Sequence, residues 1–142
     1  MIHPKNTYRD MYGPHLMIEG YGCNEETLNS IDNVYELLDN LPEKINMTKM
    51  TRPYVVRQRT PTDVGVTGFV IIAESHIAIH TFPKNRHFTM DIYSCKDFDI
   101  ESAMSHVIET FKPAEIDKHI VYRGNIKNKA EQVNAYILER LA

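Results

Sequence analysis

The chain has 142 residues, room for one domain, expected to span 1–142, and little more. Apolar residues make up 42% and charged residues 25%, the balance of a globular domain with one buried core rather than of a disordered chain. A net charge of −3 argues against a dedicated nucleic-acid binder, no apolar run approaches the ~20 residues of a membrane span, and two cysteines are too few for a disulfide framework. Met1–Asp10 is polar and lacks the apolar segment of a secretory signal, so a cytoplasmic location is expected.

The first dozen residues read as a polar arm, and His15–Tyr21 as a short strand. Asn24 is placed to cap a helix with Glu25 and Glu26 in its first turn, where the dipole favours negative charge. Leu28, Ile31, Val34, Tyr35 and Leu38 recur at helical spacing, and Asn40-Leu41-Pro42 is expected to end that helix. A strand is expected within Met50–Arg59, beside a small basic cluster of Lys49, Arg52, Arg57 and Arg59 that reads first as a solvated face and second as an anion contact. After the turn signal Pro61-Thr62-Asp63 come three strands, Val64–Ala73, His76–Phe82 and Phe88–Cys95, the second closed by Pro83-Lys84-Asn85-Arg86. Asp97 or Asp99 starts a helix whose stripe of Ile100, Ala103, Met104, Val107, Ile108 and Phe111 is one-sided, and Lys112-Pro113 stops it. Lys118–Arg123 is a last strand, and Ala130, Val133, Ile137 and Leu141 mark a C-terminal helix. Consecutive strands joined by short turns imply an α+β two-layer sandwich, a largely antiparallel sheet with helices on one face.

The chemistry concentrates in Gly65–Cys95, which holds Glu74-Ser75-His76, then His80, then Cys95. His76 and His80 have the H-x3-H spacing of a metal pair on a helix, but in a strand such residues stand about 13 Å apart, too far to share one ion. A serine or cysteine nucleophile of the hydrolase kind needs a base in reach and an oxyanion site, and no G-x-S-x-G turn is present. A third reading is self-cleavage. A serine hydroxyl held in a tight turn can attack the carbonyl of its own preceding peptide bond, and elimination from the resulting ester leaves a pyruvoyl group on the new N-terminus. Alternation along the strand would put Ser75 and His80 on opposite faces, so Ser75 is expected in the turn rather than in the regular strand.

Gly65-Val66-Thr67-Gly68, Ala73-Glu74-Ser75-His76-Ile77, Ile79-His80-Thr81-Phe82-Pro83 and Asp91-Ile92-Tyr93-Ser94-Cys95 resemble, in order and spacing, the motifs of the prokaryotic S-adenosylmethionine decarboxylase proenzymes. Gly13-Pro14-His15-Leu16 is similar to the G-x-H-L near that family's N-terminus. The resemblance implies cleavage between Glu74 and Ser75 into 1–74 and 75–142, with Ser75 becoming the pyruvoyl group that forms a Schiff base with the substrate amine. His80 matches the histidine that abstracts the serine α-proton, Thr67 stands where a serine assists the acyl shift, and Cys95 matches the general acid that returns a proton after CO2 leaves. The implied cofactor is the pyruvoyl group from Ser75, with no metal. The implied partners are a small-molecule substrate and further copies of the cleaved chain, with neither nucleic acid nor membrane. The implied product is the aminopropyl donor for spermidine synthesis.

The chain departs from the family pattern in three respects. Where the family has W-P-E, this chain has Phe82-Pro83-Lys84, so a glutamate that engages the substrate ribose is replaced by a cation. Lys96 replaces the glycine after the cysteine, and the adenine-side residues are not identifiable. An arginine or ornithine decarboxylase of the same family is therefore the second expectation, and an unprocessed non-catalytic homologue the third.

Overall fold

The computed structural model describes residues 13–124 and 126–141; the expected polar arm lies outside them. In chain order the elements are β1 (Gly13–Tyr21), α1 (Glu25–Leu28), α2 (Ile31–Lys44), β2 (Tyr54–Arg59), β3 (Val64–Ile72), β4 (Ser75–Phe82), a 3₁₀ turn (Pro83–Asn85), β5 (His87–Ser94), α3 (Ile100–Phe111), β6 (Glu115–Arg123) and α4 (Ile126–Leu141). The strands form one six-stranded sheet in the order β2-β3-β4-β5-β1-β6, antiparallel throughout. This is the expected α+β sandwich, with α2 and α3 layered on one face. No described helix is long and apolar enough to cross a membrane.

The first helical region is two helices where one was expected. Asn24 caps α1 through the Thr27 N–H, and Ser30 caps α2 through the Asn33 N–H. Asn29 closes α1 between them, so two capping residues in succession divide the apolar stripe. Helix α2 also runs past Pro42 to Lys44. Proline removes only the bond to the carbonyl four residues back, and here Leu41 and Pro42 are both buried, while the Pro42 carbonyl accepts the Met47 N–H at 2.8 Å. Strand β6 begins at Glu115 rather than Lys118, because it pairs with β1 along all nine residues of Gly13–Tyr21. Asp99 is the cap of α3, through the Ser102 N–H, and Lys112 ends it in the left-handed region.

The core lies between helices and sheet. Val34, Leu38, Leu41, Ala103, Val107 and Phe111 from α2 and α3 meet Leu16, Ile18, Val66, Val70, Ile77, Ile79, Phe88 and Ile92 from the strands. Gly68 lets α2 approach: a Cβ there would lie 2.8 Å from the Leu38 side chain and 2.9 Å from that of Val55. Thr81 ties α1 to the sheet, donating to the Leu28 carbonyl at 2.8 Å and accepting the Val66 N–H at 2.9 Å, wholly buried. The basic cluster divides: Lys49 pairs with Asp39, and Arg57 donates to the Asn29 side chain and carbonyl.

The other sheet face carries no helix among the described residues. By alternation it presents Tyr54 and Val56, Thr67, Phe69 and Ile71, His76, Ala78 and His80, Asp91 and Tyr93, and His15 and Met17. Tyr54, Val56, Phe69 and Ile71 are exposed there. Helix α4 does not cover it, and its own Val133, Tyr136, Ile137, Leu138 and Leu141 are exposed as well.

Candidate active site

The hairpin between β3 and β4 turns on Ala73 and Glu74. A neighbouring loop clamps it. The Ala73 N–H donates to the Thr48 carbonyl at 2.8 Å, and the Thr48 N–H donates back to both Glu74 carboxylate oxygens at 3.1 Å. Lys96 stands 3.7 Å from the same carboxylate and donates to the Asn46 carbonyl at 2.7 Å. The lysine that departs from the family glycine is thus a strut for the turn.

Ser75 follows the turn rather than lying in it. It is the first residue of β4, opposite Ile72 on one side and Ser94 on the other. It reaches that register with φ at 156°, a value L-residues seldom adopt and one that costs on the order of 1–3 kcal/mol. The strain sits beside the Glu74–Ser75 peptide bond. The carbonyl oxygen of that bond accepts the Cys95 backbone N–H at 2.9 Å. A donor fixed on this oxygen would hold the charge that a nucleophilic attack on the carbonyl carbon places there. The Ser75 hydroxyl lies 3.2 Å from His76 Nδ1. The Cys95 backbone is thus bonded to the residue before Ser75, and Ser75 pairs with Ser94.

His80 and Thr67 form a second, separate unit. They are cross-strand partners on the helix-free face, with Thr67 Oγ1 3.0 Å from His80 Nδ1 and donating to Gln58 Oε1 at 3.1 Å. With the Thr67 hydroxyl proton directed at Gln58, the arrangement suits a His80 tautomer that donates from Nδ1. Five residues separate His80 from Ser75 along one strand, about 16 Å at strand rise. His80 of one chain does not reach Ser75 of the same chain.

A third group was not assigned from sequence. Asp91 lies between two histidines, 3.5 Å from His76 Nε2 and 3.7 Å from His15 Nε2. Arg123 donates to His15 Nδ1 at 3.1 Å and stacks over the Tyr93 ring at 4.2 Å. Three of these residues sit in the matched G-x-H-L and D-I-Y-S-C motifs, which was the available signal; the periodicity that reveals strands says nothing about which strands are neighbours. His76 and His80 serve different partners, and among the described residues no three His, Cys, Asp or Glu side chains converge as a metal site would require. Lys84 is exposed in the 3₁₀ turn at the far end of β4. Cys23 is buried, and burial pushes its thiol up to about 11. A groove of about 320 Å³ between α2 and α3, with Glu36, Asn40, His106 and Glu109 in its walls, lies on the helical layer and includes none of the hairpin residues.

Fold and site together define a two-layer α+β domain that holds a serine next to a strained, polarised peptide bond at a hairpin. The profile of the family described as S-adenosylmethionine decarboxylase matches residues 14–124, and the chain belongs to that family. It is 33% identical over 124 residues to the S-adenosylmethionine decarboxylase proenzyme of Aquifex aeolicus, covering 87% of this chain and 89% of that one. It is 35% identical over 113 residues to the proenzyme of the same name from Archaeoglobus fulgidus, covering 79% and 97%. The crystal structure of the adenosylmethionine decarboxylase from Aquifex aeolicus superposes with a TM-score of 0.67 at 32% identity, over 78% of this chain and 89% of that one. The family match ends where β6 ends, so α4 lies outside it.

Proposed function

We propose that the chain is a proenzyme that cleaves itself between Glu74 and Ser75 and then decarboxylates S-adenosylmethionine to the aminopropyl donor used in spermidine synthesis. The observation that carries this reading is the scissile bond itself: Glu74 C=O held by the Cys95 N–H at 2.9 Å, with Ser75 at φ 156° and its hydroxyl adjacent. Attack by Ser75 Oγ on that carbonyl converts the amide to an ester. Removal of the Ser75 α-proton then expels the Glu74 carboxylate and leaves dehydroalanine, and water hydrolyses its imine tautomer to the pyruvoyl group with release of the Ser75 nitrogen as ammonia. Once formed, that group supplies a carbonyl for the substrate amine and a sink for the electrons of the breaking C–COO bond. The residues present fit it, since Cys95 stands beside the residue that would carry it and has a thiol to return a proton to the substrate carbon.

His80 is the base for the α-proton in this reading, and its separation from Ser75 of about 16 Å along one strand favours a second copy as its source. Two chains related by a two-fold axis near Ala78, at the middle of β4, would set each His80–Thr67 unit opposite the other chain's Ser75. The helix-free face favours this arrangement: it carries the His80–Thr67 unit, His76 with the Ser75 hydroxyl 3.2 Å from its ring, the small Ala78 between them, and the exposed Tyr54, Val56, Phe69 and Ile71 that burial would favour. Lys84 lies at the His80 end of β4 and would travel with that unit.

Denaturing mass spectrometry of the purified chain tests the first half. Fragments 1–74 and 75–142, the second with a blocked N-terminus, are expected, and Ser75→Ala should remain whole. A wild type that stays intact on long incubation overturns the reading. CO2 release should follow addition of S-adenosylmethionine. Release from arginine or ornithine instead would move the substrate, with Lys84 as the residue to account for it.

A further inference from the structure

We infer that His76, oriented by Asp91, is the catalytic base that activates the Ser75 hydroxyl for self-cleavage. This inference rests on the self-processing reading above and assigns the step that His80 is too far away to perform within one chain.

One hydrogen bond and two ion-pair contacts set the arrangement of protons. Arg123 has only donors, so its 3.1 Å contact makes His15 Nδ1 an acceptor, and the His15 proton sits on Nε2, facing Asp91. On the other side of the carboxylate, His76 presents Nε2 to Asp91 Oδ1 at 3.5 Å. This contact is of ion-pair length, and we place the His76 proton on Nε2, toward the acceptor-only carboxylate. That leaves His76 Nδ1 unprotonated at 3.2 Å from Ser75 Oγ. The order Ser75–His76–Asp91 has the logic of a hydroxyl, a base and a group that holds the base in its tautomer. His15 Nε2 and Asp91 Oδ1 have less than 1 Å² of exposed surface and no closer partner among the described residues. Two polar atoms in that condition favour contraction of the 3.5 and 3.7 Å contacts as a proton moves onto His76.

The step balances. Ser75 Oγ forms a bond to the Glu74 carbonyl carbon as its proton passes to His76 Nδ1. The carbonyl oxygen takes the negative charge, held by the Cys95 N–H. When the Glu74–Ser75 C–N bond breaks, the same proton passes from His76 to the departing Ser75 nitrogen. Glu74 is then esterified to Ser75 Oγ, Ser75 has a free amine, and His76 is neutral again. His76 touches the reacting atom; Asp91 and His15 act through it and are positioning residues.

Hydroxylamine separates this step from the later elimination, because it cleaves an ester and not an amide. Full-length His76→Gln keeps a hydrogen-bond acceptor beside Ser75 but cannot take a proton. It should cleave slower than wild type by on the order of 10²- to 10⁴-fold, with no added fragment on hydroxylamine treatment. Asp91→Asn should act in the same direction, since an amide N–H facing Nε2 would move the His76 proton to Nδ1. His80→Ala should instead accumulate chain that hydroxylamine splits. Imidazole added to His76→Gly should restore cleavage in proportion to its concentration, which a merely structural histidine would not allow. Cleavage of His76→Gln within about threefold of wild type, or accumulation of its ester, overturns the assignment. If wild type cleaves and His76→Gln keeps pace, only this inference fails; if wild type never cleaves, the self-processing reading fails first.

Discussion

Cys23 and Cys95 carry the same thiol in different surroundings. Cys23 is 1% exposed, and burial lifts it to about 11, whereas Cys95 is partly exposed at the end of β5. Iodoacetamide near pH 8 should therefore modify Cys95 first and reach Cys23 only after unfolding, read by peptide mass spectrometry. The folded chain holds the Cys23 proton more tightly than the unfolded chain, so this residue's contribution is complete below pH 9 and lost as pH rises toward 11. Lys84 is the other residue to probe. It has no acceptor for a ribose diol, and Lys84→Glu would supply one worth about 1.5–3 kcal/mol. We expect kcat/KM for S-adenosylmethionine to rise about ten- to a hundredfold. A silent substitution would mean that Lys84 faces solvent in the assembled site.

At the scale of elements, the β3–β4 hairpin is held from both ends. Near its tip, Thr48, Lys96 and the Cys95 N–H fix Glu74. At the other end, Thr81 joins β4 to β3 and to the end of α1. Thr81→Val keeps the shape and removes both bonds, leaving the Leu28 carbonyl and the Val66 N–H buried with a methyl group between them. A loss of about 1–3 kcal/mol in urea unfolding is expected. Cleavage should persist in this variant, because Thr81 faces the core and the hairpin tip keeps its own clamps. A stability change below about 0.5 kcal/mol would show that the two backbone groups find other partners.

At the scale of the molecule, the His80–Thr67 unit stands on a sheet face that no described helix covers. Phe69 is 42% exposed at the middle of that face, beside Ala78. Phe69→Arg puts a charge where two sheets would meet, and desolvating an unpaired charge costs several kcal/mol. Light scattering should report 16.5 kDa for the variant and twice that for wild type, and the variant should stall before chain scission for lack of a second copy's His80. A monomeric variant that cleaves at the wild-type rate would return His80 to its own chain.

Much of the fold was legible in the sequence because it is written locally. Strand alternation, the stripe from Ile100 to Phe111 and the cap Asn24 depend on neighbours a few residues away and reappear in the structure, except that Ile108 of the stripe is exposed; of Asp97 and Asp99, Asp99 is the cap. The division at Asn29-Ser30 and the passage of α2 through Pro42 were not legible, since packing of Leu41 and Pro42 against the core outweighed a local stop signal. The motifs placed Ser75 and Cys95 on the page, and pairing of β4 with β5 set Ser75 opposite Ser94, the residue before Cys95. The roles of Lys96, Asp91, His15 and Arg123 were decided only by tertiary structure. Their partners lie 15 to 108 positions away, at separations fixed by strand order and by the clamp of the 46–48 loop on the hairpin. The distance from His80 to Ser75 belongs to both levels. Sequence sets it at five residues, and only the extended strand turns those five residues into a span that one histidine cannot cross.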